Sequence, residues 1–428
     1  MHVYFLGIGG AGIGPLALIA SQAGYSVSGS DKQHTLYIDY LKTQGIEDIT
    51  ISQADDVVVI AHDEKPIDWL IYSSAVAMED LGRRQLEIAK KLGIKTDKRD
   101  QFIAEFTAKS NLKMIAIAGS QGKTTTTSMI TWLFLCLKED VSYLIPAKVS
   151  FGEMASYSAD SHYFIHEADE YDRHFLHFHP ALSVISGISW DHHDIYKTRE
   201  EYKQAFRDFI SQSEQVVMWQ SDANYLQAKE GNILLEDDDQ PKIKEIGLSG
   251  LYNRRNAWLA VVSVSKLLNA PIDVLIKHIN SFPGLGRRME EICPNLYSDY
   301  AHTPDKIKGA MSVASEIAKA KNKKLIIIYE PISNERQTFM LNDYQDVFSG
   351  ATKVYWLPTY LVREDPNIGI LGPKDLISHL ADPSLAEPAN KDQKLLNKIK
   401  QYLSSDFMVI AMVAGGGNSL DEWLRANF

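Results

Sequence analysis

The sequence has few of the features that mark secreted, membrane-spanning or nucleic-acid-binding proteins. Its 428 residues include two cysteines, Cys136 and Cys293, too few for a disulfide framework and typical of a reducing cytoplasm. No apolar run reaches transmembrane length, and the amino-terminal segment has no basic region like that of a signal peptide. The net charge is −11 and there is no basic run, which disfavours a nucleic-acid partner. These absences predict a cytoplasmic protein that acts neither on nucleic acid nor in a membrane.

The most informative stretch that is present is IAIAGSQGKTTTTSMI, residues 115–130. It reads as a strand, a phosphate-binding loop and a helix. In such a loop backbone N–H groups face phosphate oxygens, a lysine reaches the outer phosphates and the next hydroxyl ligates Mg²⁺, which makes Lys123 and Thr124 the candidates. The spacing differs from GxxxxGK[ST], because Gly119 lies only three residues before Gly122. The alternative is a polar turn between a strand and a helix.

A second glycine-rich turn, GIGGAG at residues 7–12, lies between the apolar run Val3–Leu6 and a segment of helical spacing. The glycines of such a turn allow a diphosphate to approach a helix N-terminus closely. Asp31 ends the next predicted strand, at the offset where an acidic residue binds a ribose hydroxyl. The pattern therefore predicts a nucleotide site, with a glycine-rich structural turn as the alternative.

The remaining pattern predicts an α/β protein of three domains. Strands predicted at Asp56–Ala61 and Trp69–Ser74 complete a small Rossmann-like domain over residues 1–107. A central phosphate-loop domain spans residues 108–290 and ends in a Gly/Pro-rich break that we interpret as a hinge. Residues 291–428 form a third domain of Rossmann-like character, in which strands alternate with helices.

Two polar clusters follow predicted strands of the central domain. The segment EADEYD, residues 167–172, places four carboxylates at the end of an apolar strand, where they can hold Mg²⁺ near the phosphate loop. The segment DHHD, residues 191–194, combines two histidines with two aspartates and predicts a metal-and-base cluster. The alternative for the second cluster is a surface ion pair.

Several motifs, taken in order, resemble those of the Mur ligases of peptidoglycan synthesis: GIGGAGIG, AGSQGKTTTT, EADE, DHHD, GLYNRRN, GRRME and DYAHTP. The resemblance spans nearly the whole chain. It implies a UDP-binding domain, an ATPase domain and an amino-acid-binding domain, and ATP-dependent ligation through an acyl phosphate. The amino-terminal motif and the segment around DHHD are most similar to members that join L-alanine to UDP-N-acetylmuramate. EADEYD and the loop EPISN, residues 330–334, suggest the alternative acceptor L-alanyl-γ-D-glutamyl-meso-diaminopimelate.

The resemblance also implies the site residues, with ATP and Mg²⁺ as cofactors and small molecules as substrates of a monomer or homodimer. The implied ATP site consists of Gly119, Ser120, Gln121, Gly122, Lys123, Thr124, Thr125, Asn253, Asn256, Arg288, Asp299 and His302. The implied site for the UDP-linked substrate consists of Gly7, Gly9, Gly10, Ala11, Gly12, Asp31, Ser73 and Ser74. The implied catalytic residues are Lys123, Glu167 and His192, and the implied metal ligands are Thr124, Glu167 and His192. Arg336 is implied to face the amino-acid carboxylate, and His192, His193 or Asp194 to assist the attacking amine.

The chain departs from the family pattern at four places. Gln121 and Tyr252 stand where histidines are usual, Phe206 stands where some members carry a carbamylated lysine, and the motif DNPR is absent. Two other classes stay open at this stage. An NAD-dependent oxidoreductase would use residues 7–31 but would leave the phosphate loop unexplained. A catalytically silent relative is opposed by the presence of Lys123 and of the implied metal ligands.

Overall fold

The computed structural model describes residues 1–192, 195–228, 233–235, 241–361, 364 and 368–428. The chain divides into two compact units, Met1–Ile246 with Asn256–Phe282, and Gly247–Arg255 with Pro283–Phe428. The described residues form three sheets flanked by helices, which confirms the predicted α/β class. The domain boundaries at residues 107 and 290 stay predictions. Among the described helices, none is long and apolar enough to cross a membrane.

The first sheet is built from five parallel strands: β1 (His2–Leu6), β2 (Ser26–Asp31), β3 (Ile49–Ile51), β4 (Trp69–Tyr72) and β5 (Lys95–Lys98). Their order is β3-β2-β1-β4-β5. The accompanying helices are α1 (Gly14–Gln22), α2 (Leu36–Thr43), α3 (Val57–Glu64), α4 (Ser74–Met78), α5 (Asp80–Lys91) and α6 (Arg99–Lys109). All residues of the central strand β1 are buried, as expected for a parallel strand that is covered on both faces.

Two parts of this sheet differ from the sequence prediction. The strand predicted at Asp56–Ala61 is wrong, because Val57–Glu64 is the helix α3. Its β-branched run favours a strand locally, but Val57 and Val58 are buried while Ile60 is exposed, so packing of one helical face overrides the propensity. The polar strand β5 was not predicted. It is an edge strand paired only with β4 among the described strands, where polar residues are tolerated.

The second sheet contains β6 (Lys113–Ala118), β7 (Ser142–Leu144), β8 (Ala155–Ser156), β9 (Tyr163–Glu167), β10 (Leu182–Ile185), β11 (Val216–Trp219) and β12 (Ile233–Leu235). The strand order is β12-β11-β10-β6-β9-β7-β8, parallel except for the pair β7 and β8. Its helices are α7 (Lys123–Leu137), α8 (Arg199–Ser211), α9 (Gln220–Leu226), α10 (Leu251–Leu268) and α11 (Ile272–Ile279), with 3₁₀ helices at Tyr171–His177 and Pro241–Glu245. Because β6 lies between β10 and β9, the loops after these three strands meet at one edge.

The third sheet lies in the second unit and contains β13 (Glu290–Cys293), β14 (Leu296–Asp299), β15 (Lys324–Glu330), β16 (Lys353–Trp356), β17 (Ala386–Pro388) and β18 (Phe407–Val413). The order is β13-β14-β18-β15-β16-β17, with β13 antiparallel. Its helices are α12 (Pro304–Ala320), α13 (Asn334–Met340), α14 (Pro373–Ile377), α15 (Gln393–Leu403) and α16 (Leu420–Arg425), with 3₁₀ turns at Leu341–Tyr344 and Pro383–Leu385. Strands β15 and β18 form its buried centre.

Candidate active site

The phosphate loop joins β6 to α7, which confirms the predicted order of strand, loop and helix. Gly119 and Gly122 have φ angles of 140° and 76°, which favour glycine. A Cβ on Gly122 would lie 2.6 Å from Asn256 Oδ1, and a Cβ on Gly119 would lie 2.7 Å from the carbonyl oxygen of Gly187. Both glycines are therefore required by backbone conformation and by close packing, and Asn256 lies directly against the loop.

The ammonium group of Lys123 is held inside the loop. Lys123 Nζ donates hydrogen bonds to the carbonyl oxygen of Gly119 and to Glu170 Oε2, each at 2.6 Å, and lies 3.8 Å from Asp169 Oδ1. Burial disfavours its charge, but the neighbouring carboxylates, Glu170 first among them, outweigh this and hold the pKa of Lys123 above its ordinary value. Lys123 thus supplies a fixed positive charge at the phosphate loop.

Glu170 is a buried carboxylate that sequence reasoning did not single out within EADE. Its side chain is fully buried and accepts hydrogen bonds from Lys123 Nζ and, at 3.3 Å, from the hydroxyl of Tyr202. The Tyr202 hydroxyl is also 2.8 Å from Ser120 Oγ, and the hydroxyl of Tyr196 donates to the backbone oxygen of Glu170 at 2.6 Å. Glu170 therefore connects both ends of the phosphate loop with α8 and the segment before it.

Two of the three implied metal ligands, Thr124 and Glu167, contact each other, whereas the third, His192, contacts Glu170. Thr124 Oγ1 donates to Glu167 Oε2 at 2.8 Å, so these two residues lie together, and their role as metal ligands stays a prediction. His192 Nε2 lies 3.6 Å from Glu170 Oε1, and one ligand atom from each of Asp169, Glu170 and His192 lies within 4.8 Å of the others. The other two candidates for assisting the amine, His193 and Asp194, lie outside the described residues.

The charges in this cluster favour the ionised form of Asp169. Burial raises the pKa of Asp169, but Lys123 and Arg99 outweigh it and lower that pKa to about 2. Burial disfavours the charged form of His192, but its contact with Glu170 raises its pKa overall. A hydroxyl and several carboxylates beside a phosphate loop form a set of hard oxygen donors, which suits Mg²⁺.

The glycine loop of residues 7–12 is ordered by the acidic residue that the sequence predicted to bind ribose. The backbone N–H of Gly9 donates to Asp31 Oδ2 at 2.9 Å, and that of Gln33 donates to Oδ1 at 3.2 Å. A Cβ on Gly9 would lie 2.7 Å from Thr35 Oγ1, so this glycine is required by close approach. Asp31 thus stabilises the loop by accepting two backbone N–H groups, and its contact with ribose stays a prediction.

The two serines implied in binding the UDP-linked substrate lie at the start of α4. Ser73 Oγ accepts a weak hydrogen bond of 3.4 Å from the backbone N–H of Val76 and caps the helix. Ser74 Oγ donates to Asp172 Oδ2 at 3.0 Å, and Lys98 Nζ donates to the same oxygen at 2.6 Å. Ser74 is therefore bonded to the last carboxylate of the segment EADEYD, a contact that no local sequence signal indicates.

Four further residues of the implied ATP site lie in the second unit: Asn253, Arg288, Asp299 and His302. Asn253 Nδ2 donates to the backbone oxygen of Ser249 at 2.9 Å within the start of α10. The guanidinium of Arg288 lies 4.7 Å from the ring centre of Tyr300, and His302 Nδ1 is 2.8 Å from the backbone oxygen of Tyr300. Burial raises the pKa of Asp299, whose oxygens accept two backbone N–H groups at 2.9 Å. Tyr300 is thus contacted by Arg288 and His302 and directly follows Asp299 in sequence.

Arg336, implied to face the amino-acid carboxylate, lies half-buried on α13. Its backbone N–H is capped by Ser333 Oγ at 3.5 Å. The segment is held by Asn334, whose side chain accepts the Leu371 N–H at 2.7 Å and donates to the backbone oxygen of Gly369 at 3.0 Å. The substrate role of Arg336 stays a prediction.

Comparisons with known proteins identify two matching family models. The model of the Mur ligase family catalytic domain matches residues 2–111, and that of the Mur ligase middle domain matches residues 117–235. A UDP-N-acetylmuramate–L-alanine ligase of Hydrogenobaculum sp. is 29% identical, and the alignment covers 98% of this chain and 96% of that protein.

Two solved structures have the same fold. A UDP-N-acetylmuramate–alanine ligase from Thermotoga maritima has a TM-score of 0.75 at 21% identity, covering 97% of this chain and 96% of that one. A murein peptide ligase from Psychrobacter arcticus has a TM-score of 0.65 at 21% identity, covering 100% and 98%. At these identities the structural likeness establishes the fold and its extent over the chain.

Proposed function

Because this chain belongs to the Mur ligase family, whose models match more than half of it, we propose that it joins L-alanine to the carboxylate of UDP-N-acetylmuramate with the consumption of ATP. One arrangement in the first unit supports this above all: Lys123, held by Glu170, and the pair Thr124 and Glu167 meet at a phosphate loop. Such a site can transfer a phosphoryl group, because that chemistry depends on positioning and on neutralising phosphate charge.

In this proposal the substrate carboxylate attacks the γ-phosphorus of ATP, which gives an acyl phosphate and ADP. The amine of L-alanine then attacks the acyl carbon and releases inorganic phosphate. Lys123 would neutralise the outer phosphates of ATP, and the loop N–H groups would hold their oxygens. Asn256, which lies against Gly122, would contact the adenosine moiety from the loop side.

One Mg²⁺ would be held by Thr124 and a second by Glu167 and His192, and when bound the ions would supply charge neutralisation at the phosphates. Asp169 and Glu170 both lie beside Lys123, and Glu170 also contacts His192, so these carboxylates orient the two side chains. Of the three residues implied to assist the attacking amine, His192 is the one that the structure describes, and it would help to position that amine. The ATP-binding roles implied for Arg288 and Asp299, which belong to the second unit, stay predictions.

The loop EPISN is the observation that favours a second acceptor. It begins at Glu330, which is buried and accepts hydrogen bonds from Lys391 Nζ at 2.7 Å and from the backbone N–H of Leu420 at 2.8 Å. Its sequence resembles that of the tripeptide-adding members more than that of the L-alanine-adding members. L-alanyl-γ-D-glutamyl-meso-diaminopimelate is therefore the second candidate acceptor, in the same reaction.

Phosphate release tests both candidates. The full chain is incubated with ATP, Mg²⁺ and UDP-N-acetylmuramate, and L-alanine, glycine, L-serine or the tripeptide is added in parallel. We expect turnover with L-alanine and a product larger by one alanyl residue in mass spectrometry. Turnover with the tripeptide alone would assign the second function, and absence of turnover with every acceptor would contradict both. A cytoplasmic location and a monomeric or homodimeric state belong to the same proposal.

A further inference from the structure

Arg99 lies between the glycine loop and the acidic cluster of the first unit. It is the first residue of α6 and directly follows β5. Its Nη1 atom is 3.0 Å from the position that a Cβ on Gly12 would take, and its Nη2 atom is 3.7 Å from Asp169 Oδ2. The guanidinium therefore places a positive charge against the last glycine of a loop that carries no cation of its own.

The donors of this guanidinium are available for a ligand. Within the ranges that the structure describes, the guanidinium of Arg99 makes no hydrogen bond, and its one ion pair, with Asp169, is long at 3.7 Å. An arginine carries five N–H donors in a planar fork. Its neighbour Lys98 differs, because Lys98 Nζ donates to Asp172 at 2.6 Å. In the same described part of the chain, the backbone N–H groups of Ala11 and Gly12 also make no hydrogen bond.

Asp169 lies between two cations. Its Oδ2 atom faces Arg99 at 3.7 Å, and its Oδ1 atom faces Lys123 at 3.8 Å. One carboxylate thus orients a cation toward each of the two loops. Lys123 belongs to the loop that would hold ATP, whereas the guanidinium of Arg99 lies against Gly12 of the glycine loop.

We propose that Arg99 binds the diphosphate of the UDP-linked substrate, together with the free backbone N–H groups of Ala11 and Gly12. The inference rests on the proposed function, in which the glycine loop holds that substrate. A guanidinium fits a diphosphate because it can donate two parallel hydrogen bonds to phosphate oxygens. Asp169 orients the guanidinium of Arg99 from 3.7 Å without accepting a hydrogen bond from it. Arg99 is therefore a binding and positioning residue for the nucleotide substrate.

Calorimetric binding to the full chain tests this assignment. Wild type, Arg99→Ala and Arg99→Lys are titrated with uridine, UDP, UDP-N-acetylmuramate and a non-hydrolysable ATP analogue with Mg²⁺. We expect Arg99→Ala to bind UDP and UDP-N-acetylmuramate about 10- to 100-fold more weakly, the effect of losing charge-assisted hydrogen bonds. Affinity for uridine and for the ATP analogue should not change. The affinity of Arg99→Lys for UDP should lie between those of wild type and Arg99→Ala, because an ammonium keeps the charge but cannot donate two parallel hydrogen bonds.

Arg84→Ala is the matched control, because Arg84 is exposed in the same unit and pairs with Asp55 at 2.8 Å. It should bind all four ligands like wild type. Unchanged UDP affinity in Arg99→Ala would overturn the inference, and so would a loss confined to UDP-N-acetylmuramate, which would assign Arg99 to the sugar carboxylate. If Arg99→Ala does not fold, wild-type UDP affinity in Arg99→Lys would overturn the bidentate contact. A wild type that binds no uridine nucleotide would instead contradict the proposed function.

Discussion

The glycine loop of residues 7–12 and the phosphate loop of residues 119–124 both join a buried parallel strand to a helix, but they obtain positive charge differently. The phosphate loop ends in its own cation, Lys123, which Glu170 holds at 2.6 Å. The glycine loop has no cation. The guanidinium that lies against its Gly12 belongs to Arg99, the first residue of α6, which is some 90 residues away in sequence. The difference shows that a motif can specify the backbone of a phosphate site without specifying its charge.

The carboxylates of the two loops also act differently. Asp31 accepts a backbone N–H from the glycine loop at 2.9 Å and stabilises its conformation. Glu170 accepts the lysine side chain and the hydroxyl of Tyr202, and so stabilises a charge. Loss of the Asp31 carboxylate should therefore weaken binding of the UDP-linked substrate, whereas loss of the Glu170 carboxylate should impair both stability and catalysis. Four changes test this contrast.

The largest effect is expected for Lys123→Ala. Removing the cation of the phosphate loop should lower the ligation rate by at least about 100-fold, because charge on the transferred phosphoryl group is no longer neutralised. The affinity for UDP-N-acetylmuramate, measured by calorimetry, should stay unchanged if the loops serve separate ligands. Lys113→Ala changes an exposed lysine at the other end of β6 and should retain full activity. Loss of both activity and UDP-substrate binding would contradict separate sites.

Glu170→Gln should lower the free energy of unfolding by about 3 kcal/mol, because a buried ammonium loses its charged partner. The ligation rate should also fall, since Lys123 is no longer fixed. Urea unfolding of the ligand-free protein measures the first effect. Glu139→Gln alters an exposed residue that follows α7 and should stay within about 0.5 kcal/mol of wild type. Wild-type stability in Glu170→Gln would mean that the pair does not hold the loop.

A pH effect should separate the two regions, because a strongly shifted histidine lies next to the acidic cluster. The pKa of His166 is lowered to about 3, and burial is the largest cause. From pH 6.5 to 3 the unfolded chain binds a proton that the folded chain does not, so stability falls as pH falls through this window. His166 should account for a loss of about 2 kcal/mol between pH 7 and pH 5.

Urea unfolding at both pH values, in metal-free buffer, measures this loss. His166→Leu should remove that part of the pH dependence. His162→Leu, at an exposed position of the segment that leads into the same strand, should keep it. Equal pH dependence in wild type and His166→Leu would show that His166 does not carry the effect.

The smallest effect is expected for Asp31→Ala. Loss of the acceptor for the Gly9 N–H should loosen the glycine loop and raise KM for UDP-N-acetylmuramate about 10-fold, the cost of an unsatisfied hydrogen bond. The value of kcat should change little, because the phosphate loop is untouched. Steady-state kinetics measures both, with Asp39→Ala as an exposed control on α2. A fall in kcat at saturating substrate would place Asp31 in the chemistry instead.

Much of the fold and part of the site could be predicted from local sequence. The order of strand, loop and helix around Lys123 is confirmed, and Thr124 and Glu167 lie together as expected from a strand end facing a phosphate loop. The strand predicted at Asp56–Ala61 is wrong, and the polar strand β5 was missed, because both depend on which face a neighbouring element covers.

The sequence by itself determined the two loops, since their glycines and Lys123 are consecutive residues whose backbone conformation is a local property. Only the tertiary structure decided which side chains supply and balance their charge. Glu170 became the partner of Lys123 because β9 pairs with β6, and Arg99 reached Gly12 because α6 begins where the first sheet ends. The interaction between two charges depends on their distance in space. The pairing of strands sets that distance, whereas the spacing of the residues along the chain does not.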